Sequence, residues 1–268
     1  MTGGGVSPAS SEQREGKMIE SIIRTQELTI MFGGHTAVDH VSLDVAPHTF
    51  TSIIGPNGAG KTTFINLLSG LLLPSAGQIL FKGQDVTNLS AHRRVRLGMG
   101  RSFQITNVFP NLTVLENVRL AVQAKAGVHY QVLHHHRKYS EFIDKAMDLL
   151  ETVYLSGKSE QPASSLAHGD KRKLELAIIL ALEPEVLLLD EPTAGMAVEE
   201  VPAILELLTR LKADSRTILL VEHKIDMVMS LSDVVVVLAN GKLLAKGEPQ
   251  HIMENEQVQA AYLGGGFQ

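Results

Sequence analysis

The chain has 268 residues, 44% of them hydrophobic, a length that suits one large α/β domain or two small ones. It carries a formal net charge of −5 and no cysteine, which excludes an overall basic footprint for nucleic acid, a disulfide framework and thiolate chemistry. No apolar run approaches the roughly 20 residues of a membrane-spanning helix, and residues 1–17, rich in Gly and Ser, are expected to be a disordered tail rather than a signal peptide.

The first predicted elements are β-strands that lead to a glycine-rich loop. A strand predicted at residues 28–31 ends at Gly33 and Gly34, and residues 41–45 alternate with a period of two. The β-branched run 51–54 leads into the loop, and the helix-compatible run 63–68 follows it. Strand, loop and helix in this order are the pattern of a phosphate-binding P-loop.

The loop predicts a site for a nucleoside triphosphate. Its glycines let backbone N–H groups turn toward phosphate oxygens, and the helix N-terminus adds positive partial charge. Lys61 is expected to reach the β- and γ-phosphates, and the Thr62 hydroxyl to bind Mg²⁺. The predicted binding residues are Gly55, Pro56, Asn57, Gly58, Ala59, Gly60, Lys61, Thr62 and Thr63.

The remaining elements predict a helical block within an α/β pattern. Residues 77–81 are expected to form a strand, and apolar residues recur at helical spacing from about residue 112 to residue 182. Strands are predicted at 186–189, 217–221 and 233–239, a helix at about 198–212, a hairpin turn at Asn240 and Gly241, and a helical segment at 248–263. We therefore expect a single domain at 18–263, with a helical subdomain inserted at about 104–166 and a flexible end at 264–268.

Two carboxylates follow the apolar run 186–189. Asp190, at the end of the predicted strand, can hold Mg²⁺ through water. Glu191 is placed to orient and deprotonate an attacking water, which is the role of a general base. Pro192 then directs the chain out of the strand.

Together these motifs resemble those of an ATP-binding-cassette ATPase, and the resemblance spans about residues 22–263. It implies a P-loop NTPase core with an N-terminal antiparallel β subdomain and an inserted helical subdomain. Residues 101–104 resemble the Q-loop, which implies that Gln104 contacts Mg²⁺ and the attacking water. Residues 221–223 resemble the switch region, which implies that His223 contacts the γ-phosphate. Phe32 occupies the position of an aromatic that stacks on adenine.

Residues 166–170 resemble the signature motif, but with departures from the usual Leu-Ser-Gly-Gly-Gln. Ala167 lacks the serine hydroxyl that would bind a γ-phosphate across a dimer, while the N–H of Gly169 at a helix start can still do so. Ala197 stands where the D-loop usually has Asp. A weakly catalytic regulatory module is therefore one alternative to an active ATPase.

The His-Gly-Asp signature at 168–170, with residues 32–38 and 261–264, resembles the importer ATPases for branched-chain amino acids, urea and short amides. This branch implies permease subunits, a second identical or related ATPase subunit and, indirectly, a periplasmic or extracellular solute-binding protein, with no nucleic acid. It also implies a peripheral position on the cytoplasmic face of the membrane. A lipid-exporter ATPase and a soluble non-transport ATPase remain alternatives.

A histidine run, residues 134–136 with His129 nearby, could be read as a metal site. Adjacent histidines on a helix point to different faces, so three of them do not readily share one ion. A surface helix is the favoured interpretation.

Overall fold

The structure is a computed structural model that describes residues 21–102, 108–128 and 136–263. The predicted tail, residues 1–17, and the predicted flexible end, residues 264–268, lie outside these ranges. The strands are β1 (Ile23–Phe32), β2 (His35–Val45), β3 (Phe50–Ile54), β4 (Ala76–Phe81), β5 (Gln84–Asp85), β6 (Met99–Arg101), β7 (Val186–Asp190), β8 (Thr217–Val221), β9 (Val234–Ala239) and β10 (Lys242–Gly247). The helices are α1 (Lys61–Ser69), α2 (Ala91–Leu97), α3 (Val114–Lys125), α4 (His136–Thr152), α5 (His168–Ala181), α6 (Val201–Ala213), α7 (Ile225–Leu231), α8 (Pro249–Met253) and α9 (Glu256–Leu263).

These strands form two sheets. The N-terminal sheet has the strand order β2-β1-β4-β5, and all of its pairings are antiparallel. The core sheet has the order β10-β9-β3-β8-β7-β6, and its pairings are parallel except that of β9 with β10. A largely parallel sheet beside an antiparallel one confirms the predicted α/β class with an N-terminal β unit.

The central strands of the core sheet are buried along their whole length. In β7, Leu187 and Leu189 pack into the apolar cluster of the helical block, whereas Leu188 packs into the cluster with α1 and the N-terminal sheet. Because both faces are covered, β7 and β8 are nearly continuous apolar runs, and the acidic side chains lie at or just after their carboxyl ends. The carboxyl ends of β3, β7 and β8 meet at one edge, where an open α/β sheet places its ligand site.

Helices α3, α4 and α5 confirm the helical pattern predicted between residues 112 and 182. Helix α3 begins after Thr113, whose hydroxyl accepts a hydrogen bond from the Glu116 N–H at 3.0 Å and caps the helix. Val118, Leu150 and Leu174, one from each helix, are fully buried in one cluster. Among the helices of the described residues, none is both long and apolar enough to cross a membrane.

Strand β6 was not predicted from the sequence, and neither was α2 before it. Strand β6 has three residues with a central glycine, so it carries no apolar pattern of its own. It forms because Met99 pairs in parallel with Val186, at the edge of the core sheet. A Cβ at Gly100 would lie 2.8 Å from both Ile179 and Pro184, so only glycine fits there.

The C-terminal prediction was partly wrong. Residues 248–263 form two helices rather than one, because the Asn255 side-chain oxygen accepts hydrogen bonds from the N–H groups of Gln257 (2.9 Å) and Val258 (3.2 Å) and starts α9 anew. The predicted hairpin turn is confirmed, since Asn240 and Gly241 have φ angles of 49° and 78° between β9 and β10.

Arg94 is a fully buried cation that connects three segments of the fold. Its guanidinium donates to the carbonyl oxygens of Leu67 (2.6 Å) and Leu68 (2.7 Å) at the end of α1, and to those of Thr87 (2.8 Å) and Leu89 (3.1 Å). Burial lowers the pKa of Arg94 to about 10. The positive charge stabilises the C-terminus of α1, which carries partial negative charge.

Replacement of Arg94 by Met is expected to lower the free energy of unfolding by about 3 kcal/mol or more, because it leaves several buried carbonyl groups without a donor. Urea unfolding followed by circular dichroism measures this change. The matched control is Arg93→Met, since Arg93 is exposed on the same helix. Equal stability of the two variants would contradict the role given to Arg94.

Candidate functional site

The glycine-rich loop lies directly after β3 and has backbone conformations that require glycine. Gly55 has a φ of 151°, and a Cβ there would lie 2.0 Å from the Leu238 carbonyl oxygen. Gly60 has a φ of 95°, and a Cβ there would lie 2.3 Å from the Ala37 carbonyl oxygen. The neighbouring strands therefore fix the loop, and the sequence pattern follows from this close approach.

Helix α1 begins at Lys61, and no side chain caps it at Gly60. The first N–H groups of a helix have no partner within the helix, so they are available to an anion. They open onto a cavity of about 330 Å³ at the carboxyl edge of the core sheet. Its lining residues are His35, Ala37, Asn57, Gly58, Ala59, Gly60, Lys61, Thr62, Thr63, Glu191 and His223.

Lys61 places a buried ammonium group inside the loop. Its Nζ donates to the carbonyl oxygens of Gly55 at 2.7 Å and Pro56 at 3.0 Å. Burial lowers the pKa of Lys61, and the charges of Glu191 and Asp190 oppose that shift. A cation enclosed beside a helix start makes this end of the cavity strongly attractive to phosphate.

Asp190 ends β7 as a buried carboxylate. Burial raises the pKa of Asp190, although the guanidinium of Arg101 lies 3.6 Å from its Oδ2. The Thr62 hydroxyl faces the carboxylate, but within the described ranges neither Asp190 oxygen has a partner at ordinary hydrogen-bond distance. Buried carboxylate oxygens without donors, next to a hydroxyl, suit a hard divalent cation or its bound water.

Glu191 and His223 project into the cavity from the ends of two neighbouring strands. The Glu191 Oε1 and His223 Nε2 atoms are 2.7 Å apart. Glu191 has a φ of 45°, an unfavourable backbone conformation for a residue with a side chain, and its N–H donates to the Val221 carbonyl at 2.9 Å. Strain of this kind persists where surrounding structure holds it, as at functional sites.

Comparison with known proteins identifies the family to which this chain belongs. A family model described as ABC transporter matches residues 38–194, and one described as branched-chain amino acid ATP-binding cassette transporter matches residues 242–268. The high-affinity branched-chain amino acid transport ATP-binding protein LivG of Escherichia coli K12 is 39% identical over 92% of this chain and 99% of its own length. The chain belongs to the ATP-binding-cassette transporter family.

Other members agree with this assignment. The branched-chain amino acid transport ATP-binding protein BraF of Pseudomonas aeruginosa is 36% identical over 92% of this cassette and 99% of its own length. A cassette of an ABC transporter solved in its ADP conformation has a TM-score of 0.78 and 30% identity, and the match covers 91% of this chain and 99% of that one. The cassette is accordingly an ATP-binding, ATP-hydrolysing subunit, as the P-loop and the two strand-end carboxylates predict.

Of the predicted site residues that the structure describes, those not among the lining residues are Phe32, Gly55, Pro56, Gly169 and Asp190. Phe32 is exposed at the end of β1, where it pairs with His35 of the lining. Gly169 is buried near the start of α5, and a Cβ there would lie 2.6 Å from a Glu200 carboxylate oxygen. Gln104 lies outside the described residues, so its contacts with Mg²⁺ and water stay a prediction.

The departures in the signature and D-loop motifs have visible consequences. Ala167 precedes α5, and it supplies no side-chain hydrogen bond to cap that helix. At Ala197 the backbone N–H donates to a Glu200 carboxylate oxygen at 3.2 Å. The Glu200 carboxylate therefore lies between the D-loop and the start of the signature helix.

Two neighbours of the site, Arg101 and Tyr262, make contacts there that the sequence alone does not indicate. Arg101 lies beside Asp190 and donates to the Ser69 hydroxyl at 2.6 Å. The Tyr262 hydroxyl accepts a hydrogen bond from the Gly55 N–H, and burial raises the pKa of Tyr262 to about 12. Thus the last helix of the cassette touches the first residue of the P-loop. The terminal Tyr-Leu-Gly sequence was the available signal.

A larger cavity, of about 530 Å³, lies near the opposite edge of the core sheet. Its lining includes Glu185 and Thr217, close to the amino ends of β7 and β8, but none of the predicted site residues that the structure describes. Because it lacks the glycine loop, the helix start and the buried ammonium, the P-loop cavity is the better candidate for the nucleotide.

The histidine run does not form a described site. His129, His134 and His135 lie outside the described residues, and His136 is the first residue of α4. The described ranges contain no group of three or more His, Asp or Glu side chains that could hold a metal ion.

Proposed function

We propose that this cassette is the ATPase subunit of an importer for branched-chain amino acids. The observation that carries the proposal is the Glu191–His223 pair at the P-loop cavity, in a chain whose C-terminal residues match the branched-chain amino acid cassette model. The names of the LivG and BraF relatives support the same solute class.

The glycine-rich loop and the start of α1 would bind the phosphates. The N–H groups of residues 58–63 would surround the phosphate oxygens, and the buried Lys61 ammonium would exchange its two carbonyl partners for the β- and γ-phosphates. Phe32, exposed beside the cavity, would stack on adenine.

The Asp190 carboxylate and the Thr62 hydroxyl fit a Mg²⁺ ion, with Gln104 as a further ligand. Bound Mg²⁺ would neutralise the charge that develops on the β- and γ-phosphate oxygens. The support from this structure is that, within the described ranges, neither Asp190 oxygen has a hydrogen-bond partner, while the Thr62 hydroxyl faces the carboxylate. Asp190 would hold water of the ion's hydration shell, and Arg101 would limit the carboxylate's movement.

Glu191 would accept the proton of the attacking water, and His223 would hold the Glu191 carboxylate and contact the γ-phosphate. The 2.7 Å contact between Glu191 Oε1 and His223 Nε2 fixes the two side chains relative to each other. Because phosphoryl transfer depends mainly on positioning and electrostatics, this fixed geometry is the protein's main contribution.

Assembly would complete the site. A second cassette, identical or related, would present Gly169 of its α5 to the γ-phosphate of the first. Separate permease subunits would bind the helical subdomain at about 104–166, on the cytoplasmic face of the membrane. A solute-binding protein would deliver the amino acid to the permease.

Uptake of radiolabelled leucine tests this proposal in cells that lack the chain. We expect the wild-type gene to restore uptake and the Glu191→Gln variant, expressed at the same level, to fail. Restored uptake of urea or a short amide instead of leucine would overturn the solute class while leaving the ATPase assignment intact. Restoration by Glu191→Gln would overturn the energising role.

A further inference from the structure

Glu222 is a buried acid between β8 and His223 that the mechanism above does not use. Only 3% of its surface is exposed. Its Oε1 accepts a hydrogen bond from the Thr193 hydroxyl at 2.5 Å, and its Oε2 accepts from the backbone N–H groups of His223 at 2.7 Å and Lys224 at 3.3 Å. Removing a carboxylate from water costs free energy, and the three hydrogen bonds to Glu222 offset that cost.

These contacts close a ring between the loops that follow β7 and β8. Glu191 contacts the His223 ring, the His223 backbone contacts Glu222, and Glu222 contacts Thr193, two residues beyond Glu191. The Glu191 N–H also donates to the Val221 carbonyl at 2.9 Å. Each loop therefore fixes the position of the other.

We propose that Glu222 is a positioning residue for hydrolysis, which sets His223 against Glu191 by holding the His223 backbone and the Thr193 hydroxyl together. The proposal rests on the ATPase mechanism above. Glu222 is not itself one of the lining residues, and the one lining residue to which it is hydrogen-bonded within the described ranges is His223, so it acts through His223 and not on nucleotide binding. Thr193 precedes the D-loop residues 194–197, so the same carboxylate also links the D-loop to the switch region.

The chemistry of the ring predicts which substitutions preserve it. A glutamine at 222 can accept from the two backbone N–H groups with its carbonyl oxygen and donate its NH₂ to the Thr193 oxygen. An alanine can do neither and leaves the His223 N–H without its partner. We therefore expect Glu222→Gln to stay close to the wild type and Glu222→Ala to lower kcat about ten-fold or more, with KM for MgATP changed less than about three-fold.

The experiment measures kcat, KM and the thermal unfolding midpoint of purified full-length variants. Glu222→Ala is also placed in a His223→Ala background and followed by release of radiolabelled phosphate in single turnovers. If Glu222 acts through His223, the alanine costs less than about two-fold in that background. The same loss in both backgrounds, or a loss shared by Glu222→Gln, would overturn the proposal.

If Glu222→Ala does not fold, a second pair of variants tests the ring at Thr193, the side-chain partner of Glu222. Thr193→Val removes the hydroxyl and is expected to lower kcat several-fold, whereas Thr193→Ser is expected to retain activity. The matched control is Thr209→Val, since Thr209 makes a local hydrogen bond on the exposed side of α6. Full activity of Thr193→Val would contradict the ring. Absence of hydrolysis in the wild type would instead contradict the ATPase proposal.

Discussion

Glu191→Gln is expected to bind MgATP with near wild-type affinity and to lower kcat by about a thousand-fold. The amide keeps the size of the carboxylate and can still contact His223, but it cannot accept a proton from the attacking water. The phosphate-binding groups of the P-loop are unchanged, so the ground-state complex survives. Titration with a fluorescent nucleotide measures the affinity, and the rate of phosphate release measures kcat.

The same variant is expected to accumulate as a dimer with ATP, because two unhydrolysed nucleotides stay between the cassettes. Light scattering with and without ATP measures the mass. The control is Glu206→Gln, an exposed acid on α6 that contacts the Tyr154 hydroxyl. Hydrolysis by Glu191→Gln at the wild-type rate would show that another group is the base.

Lys61→Ala is expected to weaken ATP binding by about 100-fold or more, the reverse of the Glu191→Gln pattern. Removal of a buried ammonium that contacts phosphate costs about 2–5 kcal/mol when the anion is left without its partner. Isothermal titration of ATP in the presence of Mg²⁺ measures the loss of affinity.

Lys82→Ala is the matched control, because Lys82 is a half-exposed lysine paired with Glu185 at 2.7 Å, far from the P-loop. Circular dichroism verifies that Lys61→Ala is folded, since its ammonium also contacts the carbonyls of Gly55 and Pro56. Unchanged ATP affinity in folded Lys61→Ala would reject the phosphate-binding role.

The parts of the site that the sequence predicted are local in the chain. The P-loop occupies one strand, one loop and one helix start, and its residue types follow from close backbone approach at Gly55 and Gly60. The apolar run that ends in Asp190 and Glu191 is local in the same sense. In such motifs the functional residues are neighbours in the chain, so the order of residues is sufficient to recognise them.

The missed parts depend on contacts between distant segments. Thr193 meets Glu222 only because β7 and β8 are neighbours in the core sheet. Arg101 reaches Asp190 from β6, a strand with no apolar pattern of its own. Tyr262 meets Gly55 because α9 packs beside the end of β3. The sequence motifs at 101–104 and 261–264 mark two of these segments, but the contacts that their side chains make depend on the pairing and packing of distant elements.

The most direct test of the importer ATPase is to identify the chains that co-purify with this cassette from its native membranes in mild detergent. We predict multi-spanning permease subunits, with either a second copy of this cassette or a related one, in a complex that hydrolyses ATP. Purification with ribosomal, DNA-bound or assembly partners and no permease would contradict the importer, although the ATPase chemistry would stand.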